Sequence, residues 1–276
     1  MVTVYAAHGT VAGFDANAFI HRNMIDHEAA ARFLIGLPTK YVDLDLAKDG
    51  HGDALTIDDG TVAAAQLARL ARQAGHAVTL FVNPENIANS QIYPFVLLNV
   101  FLDRIQGPSL NYNGLVCHLG TPAAKLALRK LVKKRLASMC DDRQRENHIR
   151  ELAKSAGVQT LPVPDHLQTL AKRDIEALLA DGVRIENHGW SHRDLSDCDA
   201  ASFREEIEKG QRWLATELGV RATAFAIPYG EALPPRYLQR ELANDWYLLD
   251  NRLNPGTLGH RLFNRLTLSN RRISES

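Results

Sequence analysis

With 276 residues, 45% hydrophobic and 23% charged, the chain is too apolar to be a disordered segment and long enough for one large α/β domain. Its 32 Lys and Arg balance 32 Asp and Glu, so no global charge selects a nucleic acid as partner. No stretch approaches the roughly 20 apolar residues of a membrane span, and the three cysteines form no CxxC pair, the usage expected of reduced thiols in a cytoplasmic protein.

The opening MVTVYAAHG has strand character and ends at His8-Gly9; it lacks the basic start and long apolar run of a signal peptide. DHEAAARFLIGL follows with helical periodicity, and DALTIDDG reads as a strand. TVAAAQLARLARQAG is an alanine-rich helix stopped by Gly75, and HAVTLFVNP is a strand closed by Pro84. Further on come the helix TLAKRDIEALLADG, the strand VRIENH and the long helix DAASFREEIEKGQRWLATELG. The strand ATAFAIPYG, the helix PPRYLQRELAND and the short strand WYLLD complete the series. Strands alternating with helices predict parallel pairing and a (β/α) barrel occupying residues 1–276 as one domain.

Residues 85–168 break the rhythm. SQIYPFVLLNVFLDRI, the strand-like GLVCHL and AAKLALRKLVKKRLASM predict a largely helical insertion. The basic run from Arg129 to Arg135 could approach an anionic lipid or a nucleotide; a solvated helix face is the plainer reading. The tail LSNRRISES is polar and expected to fray.

In parallel barrels reactive groups gather at the C-terminal ends of strands. Here His8 ends the first strand, Asp58 and Asp59 end ALTI, His188 and His192 follow VRIEN, and Pro228-Tyr229-Gly230 follows ATAFAI. Charged groups are rarely buried unless paired or metal-bound, so two acids at the end of a buried strand require partners. One carboxylate and two imidazoles match a catalytic zinc set that leaves a position for water. Asp59, His188 and His192 are therefore candidate ligands, and Asp58 the base that takes a proton from water. Each string alone has a plainer structural reading, as a turn, a cap or a chance HxxxH pair. Their order at successive strand ends carries the argument.

TIDDG, then HGWSH, then FAIPYG resembles the polysaccharide deacetylase family, also called carbohydrate esterase family four. TLFV and ENHGWSHRDLS resemble that family's flanking segments as well. The resemblance implies a distorted (β/α) barrel of the polysaccharide deacetylase type binding a divalent metal, zinc first among candidates, with cobalt, nickel or iron as alternatives. It implies Asp58 as base, Asp59, His188 and His192 as ligands, and the backbone N–H of Tyr229 as a donor to the oxyanion. It also exposes departures. Gly189 stands where a Ser or Thr usually steadies the loop, and Ala226 where an arginine usually orients the base. FAIPYG resembles a branch associated with surface-polysaccharide or lipopolysaccharide assembly, and VTVYAAHG resembles the branch in which a histidine ending the first strand serves as acid. His8 is that candidate, with His260 in reserve.

The expected activity is metal-dependent removal of an N-acyl group, acetyl first, from an amino sugar. The expected substrate is a nucleotide- or lipid-linked cytoplasmic precursor. Hydrolysis of a non-sugar amide or formamide, and a degenerate barrel acting as a scaffold, are the alternatives. The sequence does not specify the oligomeric state.

Overall fold

The computed structural model describes residues 2–139, 141–195, 198–230, 246–249, 256–257 and 262–275. It divides into two compact units, one of residues 1–14, 23–91 and 169–276, the other of residues 15–22 and 92–168. Among the described residues no helix is long and apolar enough to cross a membrane.

The first unit opens with β1 (Val4–Ala7), β2 (Thr10–Val11), β3 (Ile25–Asp26), α1 (His27–Gly36) and α2 (Leu44–Lys48). It continues with β4 (Ala54–Ile57), α3 (Val62–Gln73), β5 (Thr79–Val82) and α4 (Pro84–Asn89). The second unit contributes α5 (Pro94–Arg104), β6 (Ser109–Tyr112), β7 (Leu115–His118), α6 (Pro122–Ala137) and α7 (Asp142–Ser155). The chain then returns to the first unit through α8 (Lys172–Ala180), β8 (Arg184–Asn187), α9 (Ala200–Leu218), β9 (Ala224–Ala226) and β10 (Trp246–Leu249). It ends with β11 (Gly256–Thr257), β12 (Leu262–Asn264), β13 (Leu266–Thr267) and α10 (Asn270–Glu275).

In the first unit β1, β4, β5, β8, β9 and β10 lie side by side, each parallel to the next. β4 and β5 are buried at every position, as expected of parallel strands covered on both faces. Alternation sorts their side chains. Leu55, Ile57, Leu80 and Val82 pack outward against Ala64, Leu67 and Ala68 of α3. Val4, Ala54, Phe81, Ala224, Ala226 and Leu248 form a separate inner cluster. The alanines let α3 approach the strands closely, and Thr61 starts that helix by accepting the Ala64 N–H.

One short run nearly closes the sheet. β12 pairs in parallel with β10 at one end, β13 pairs in parallel with β1 at the other, and only Arg265 separates them. The fold is the predicted α/β barrel of the polysaccharide deacetylase type. The closing run RLFNRLTL was missed from sequence, because Arg265 interrupts its apolar pattern. The expected fraying of the tail is corrected for most of it: residues 270–275 form α10, anchored where Asn270 accepts the Asp26 N–H at 2.8 Å and donates to the Met24 carbonyl at 3.2 Å. The predicted helix PPRYLQRELAND lies outside the described residues.

In the second unit α5 is nearly all buried, and α6 and α7 pack on it. β6 and β7 form an antiparallel hairpin that places Tyr112 opposite Leu115. Its two-residue turn, Asn113-Gly114, has φ of 52° and 82°, the left-handed pair that matches strand twist. Asp103 at the end of α5 accepts the Phe19 and Ile20 N–H groups at 2.7 and 2.9 Å, which ties residues 15–22 into this unit.

Candidate active site

Asp58 and Asp59 are neighbours with different destinations. Asp58 continues the inward side of β4 after Thr56, and its N–H still bonds the Ala7 carbonyl at 2.9 Å. At Asp59 the backbone turns left-handed (φ 75°), followed by Gly60 at 56°, and Thr61 then starts α3. The second carboxylate is thereby swung away from the first. Both are buried.

Asp59 meets the two histidines of HGWSH. Its Oδ1 lies 3.6 Å from His188 Nε2 and 3.1 Å from His192 Nε2, and ligand atoms of all three lie within 4.8 Å of one another. His188 Nδ1 lies 2.9 Å from the Ala226 carbonyl, an acceptor, so Nδ1 carries a proton and Nε2 faces Asp59, where it holds either a second proton or a cation. A carboxylate oxygen and imidazole nitrogens aimed at one another repel unless a proton or cation lies between them. The chemistry of the donor set therefore fits a divalent ion held by Asp59, His188 and His192, with hydrogen bonding that already selects the ligating tautomer of His188.

The loop carrying the histidines is held without the hydroxyl expected after the first of them. Gly189 has φ 86°, and a Cβ there would stand 3.3 Å from Glu206 Oε2. Buried Glu206, on α9, takes over the anchoring: it accepts the Ser191 N–H at 2.9 Å and the Ser191 hydroxyl at 2.7 Å. Asn187 accepts the Gly189 N–H at 3.0 Å, and Asn83 donates to the His188 and Gly189 carbonyls. Glycine suits this position because its φ is left-handed and Glu206 crowds the space a Cβ would enter.

Asp58 has the partner that Ala226 does not supply. Arg265 donates Nη1 to Asp58 Oδ1 at 2.8 Å and Nη2 to Oδ2 at 2.6 Å, a buried bidentate pair. Thr56 Oγ1 accepts a further bond from Arg265 Nη1 at 3.0 Å and donates to the Tyr5 carbonyl at 2.7 Å. The guanidinium also lies over the Phe81 ring, 5.7 Å from its centroid. Sequence reading missed Arg265; the available signal was an arginine inside the apolar run LFNRLTL.

Burial pushes the Asp58 carboxyl up, but the Arg265 guanidinium, with His188 and His8, holds it below its ordinary value. Burial likewise raises Asp59, and hydrogen bonds from His188 and His192 outweigh it, leaving this carboxyl well below the usual range. Burial lowers the His188 imidazole, yet Asp58 and Asp59 carry it above its ordinary value. Both acids are thus kept ionised.

Tyr229 follows β9 in a turn closed by the Gly230 N–H to the Ile227 carbonyl at 2.9 Å. Pro228 precedes it, and its own φ is 64°, a position where glycine is usual. Its ring meets the His192 ring edge-on at 4.9 Å. Among the described residues six non-glycine residues have positive φ, and Asp59, His192 and Tyr229 are three of them. Such strain collects where surrounding structure holds a functional geometry. His8, at the end of β1, is not in the donor group; it stands near both acids, and its buried Nδ1 has no hydrogen-bond partner among the described residues. His260 lies outside the described residues.

A parallel barrel with an acid pair and two histidines at the C-terminal ends of its strands defines a class of hydrolytic α/β barrels. The chain belongs to the polysaccharide deacetylase family, which matches residues 48–244. Among solved structures, the Streptococcus pyogenes deacetylase PplD in complex with acetate aligns with a TM-score of 0.60 at 11% identity, over 98% of this chain and 92% of that one. IcaB from Ammonifex degensii gives a TM-score of 0.57 at 12% identity, over 99% and 94%. The Bacillus cereus polysaccharide deacetylase BC0361 gives 0.58 at 12%, over 99% and 68%. No curated protein matches the sequence significantly.

Proposed function

We propose that the protein is a metal-dependent carbohydrate N-deacetylase. The observation that carries this reading is the Asp59–His188–His192 cluster beside a buried Asp58 held ionised by Arg265, in a chain of the polysaccharide deacetylase family. A divalent cation at the cluster would polarise the amide carbonyl and acidify water. Asp58 takes a proton from the attacking water, and Arg265 fixes the carboxylate for that transfer. The Tyr229 N–H donates to the oxyanion, and His8 protonates the leaving amine. The complex of PplD with acetate supports acetyl as the group removed.

In finer detail, the reading extends to an amino sugar of surface-polysaccharide or lipopolysaccharide assembly, nucleotide- or lipid-linked, in the cytoplasm. The experiment is acetate release from N-acetylated oligosaccharides, sugar nucleotides and lipid-linked sugars, by metal-stripped protein reloaded with zinc, cobalt, nickel or iron. Metal-dependent release from one of these supports the proposal. Turnover of small cyclic amides or formamides alone assigns a non-sugar hydrolase. Protein that binds no metal after reloading is a scaffold.

A further inference from the structure

The zero net charge conceals two opposite halves. Residues 15–22 and 92–168 hold 12 Lys and Arg against 7 Asp and Glu; the remainder holds 20 against 25. The basic unit concentrates its cations on α6. Leu128, Val132 and Leu136 form the buried stripe of that helix, at a spacing of four. Lys130, Leu131, Lys134 and Arg135 are exposed; their spacing puts Lys130 and Lys134 opposite the stripe and carries Leu131 and Arg135 round to its flank.

α6 packs against β7, one arm of the hairpin. The two residues that leave the Asn113-Gly114 turn, Leu115 and Val116, are 58% and 65% exposed, and Leu131 on α6 is 40% exposed. These are three of the five large hydrophobic side chains exposed among the described residues. Scattered apolar side chains on a surface need no explanation. Two consecutive ones at a hairpin turn, next to a helix that exposes three cations, are a concentrated feature.

We propose that this unit docks on an anionic lipid surface, with Leu115 and Val116 entering the interface and Lys130, Lys134 and Arg135 facing the headgroups. Aliphatic side chains gain by leaving water for the acyl boundary, and cations gain from the negative surface potential. A single weak anchor gives only marginal binding, and the pairing of an apolar tip with a basic face supplies two. A nucleic acid would use the cations but not the tip, because Leu115, Val116 and Leu131 are aliphatic and offer no ring on which bases stack. The inference does not depend on the deacetylase reading.

The test is co-sedimentation of the full chain with vesicles of phosphatidylcholine alone or with about 30% phosphatidylglycerol. Binding is expected to the anionic vesicles and to weaken as salt rises. Lys130→Glu/Lys134→Glu/Arg135→Glu should weaken it on the order of a hundredfold or more, from about fivefold per lost cation. Leu115→Ser/Val116→Ser should weaken it on the order of tenfold, with an unchanged melting temperature because both side chains are exposed. In Val116→Trp, brominated lipid should quench the new emission; the native Trp190, Trp213 and Trp246 all lie in the other unit. Equal binding to both vesicles, no binding to either, or no quenching overturns the proposal. Vesicle binding unaffected by the tip substitutions assigns the surface to polyanions in general instead, and a dimer that dissociates on Leu115→Ser assigns it to a second copy. Either result also overturns it.

Discussion

Arg265 and Asp58 are 207 positions apart in sequence and joined by two hydrogen bonds inside the barrel. The pairing follows from closure of the sheet. Arg265 is the residue between the strand that pairs with β10 and the strand that pairs with β1, and β1 is the neighbour of β4, which runs directly into Asp58. The arginine that the third motif lacks at Ala226 is thus supplied by the segment that links the two ends of the sheet.

Arg265→Ala should leave a buried carboxylate without a partner and destabilise the fold by about 3–5 kcal/mol, read as a lower urea midpoint. Arg265→Lys keeps the charge but not the fork, so it should recover part of the stability and a smaller part of kcat. If Arg265→Lys restores full turnover, orientation of Asp58 is not what the guanidinium contributes.

Asp58→Asn keeps the size of the base but cannot take a proton. Turnover per folded molecule should fall by on the order of 10²–10⁴, with bound metal retained. Asp59→Asn should instead lose metal affinity, since a charged ligand becomes neutral. Metal content and acetate release on the two variants separate the roles; metal loss in Asp58→Asn alone reverses the assignment.

His8→Ala should lower kcat on an amide while leaving metal content unchanged, because His8 stands outside the donor cluster. Full activity in this variant places the acid elsewhere, and His260 becomes the next substitution.

Glu206→Ala removes the anchor of the histidine loop, both bonds to Ser191 included. The variant should bind metal more weakly with a modest loss of stability, about 1–3 kcal/mol for a lost charge-assisted network. Gly189→Ser should not strengthen the loop, since φ 86° and the 3.3 Å approach to Glu206 both oppose a side chain. Tighter metal binding in Gly189→Ser would show that the missing hydroxyl matters after all.

Stability should also fall on mild acidification through His76. Burial lowers this imidazole; its Nδ1 accepts the Tyr41 N–H at 3.0 Å and its Nε2 donates to the Leu34 carbonyl at 2.7 Å, so the folded protein holds it neutral. With the folded value below 6.5, the unfolded chain binds more protons as pH falls past that point. The contribution is therefore complete above about pH 6.5 and is lost below it. Thermal melts at about pH 7.5 and about pH 5.5 should show a smaller difference in His76→Gln than in the parent.

The sequence by itself determined the strand–helix alternation, the parallel barrel it implies and the residue types at the strand ends. Those features are local. The apolar runs ALTI and TLFV, the glycine stop at Gly75 and the HxxxH spacing can all be read within a few residues. Tertiary structure decided what meets what. Adjacent Asp58 and Asp59 are indistinguishable as letters, and the left-handed turn at Asp59 sends one to Arg265 and the other to two histidines. Gly189 looks like a defect in the motif until α9 brings Glu206 beside it. Arg265 looks like an interruption of the last strand until barrel closure carries it to Asp58. The physical reason is common to all three: a buried charge is stable only beside its partner, and folding brings that partner from far along the chain.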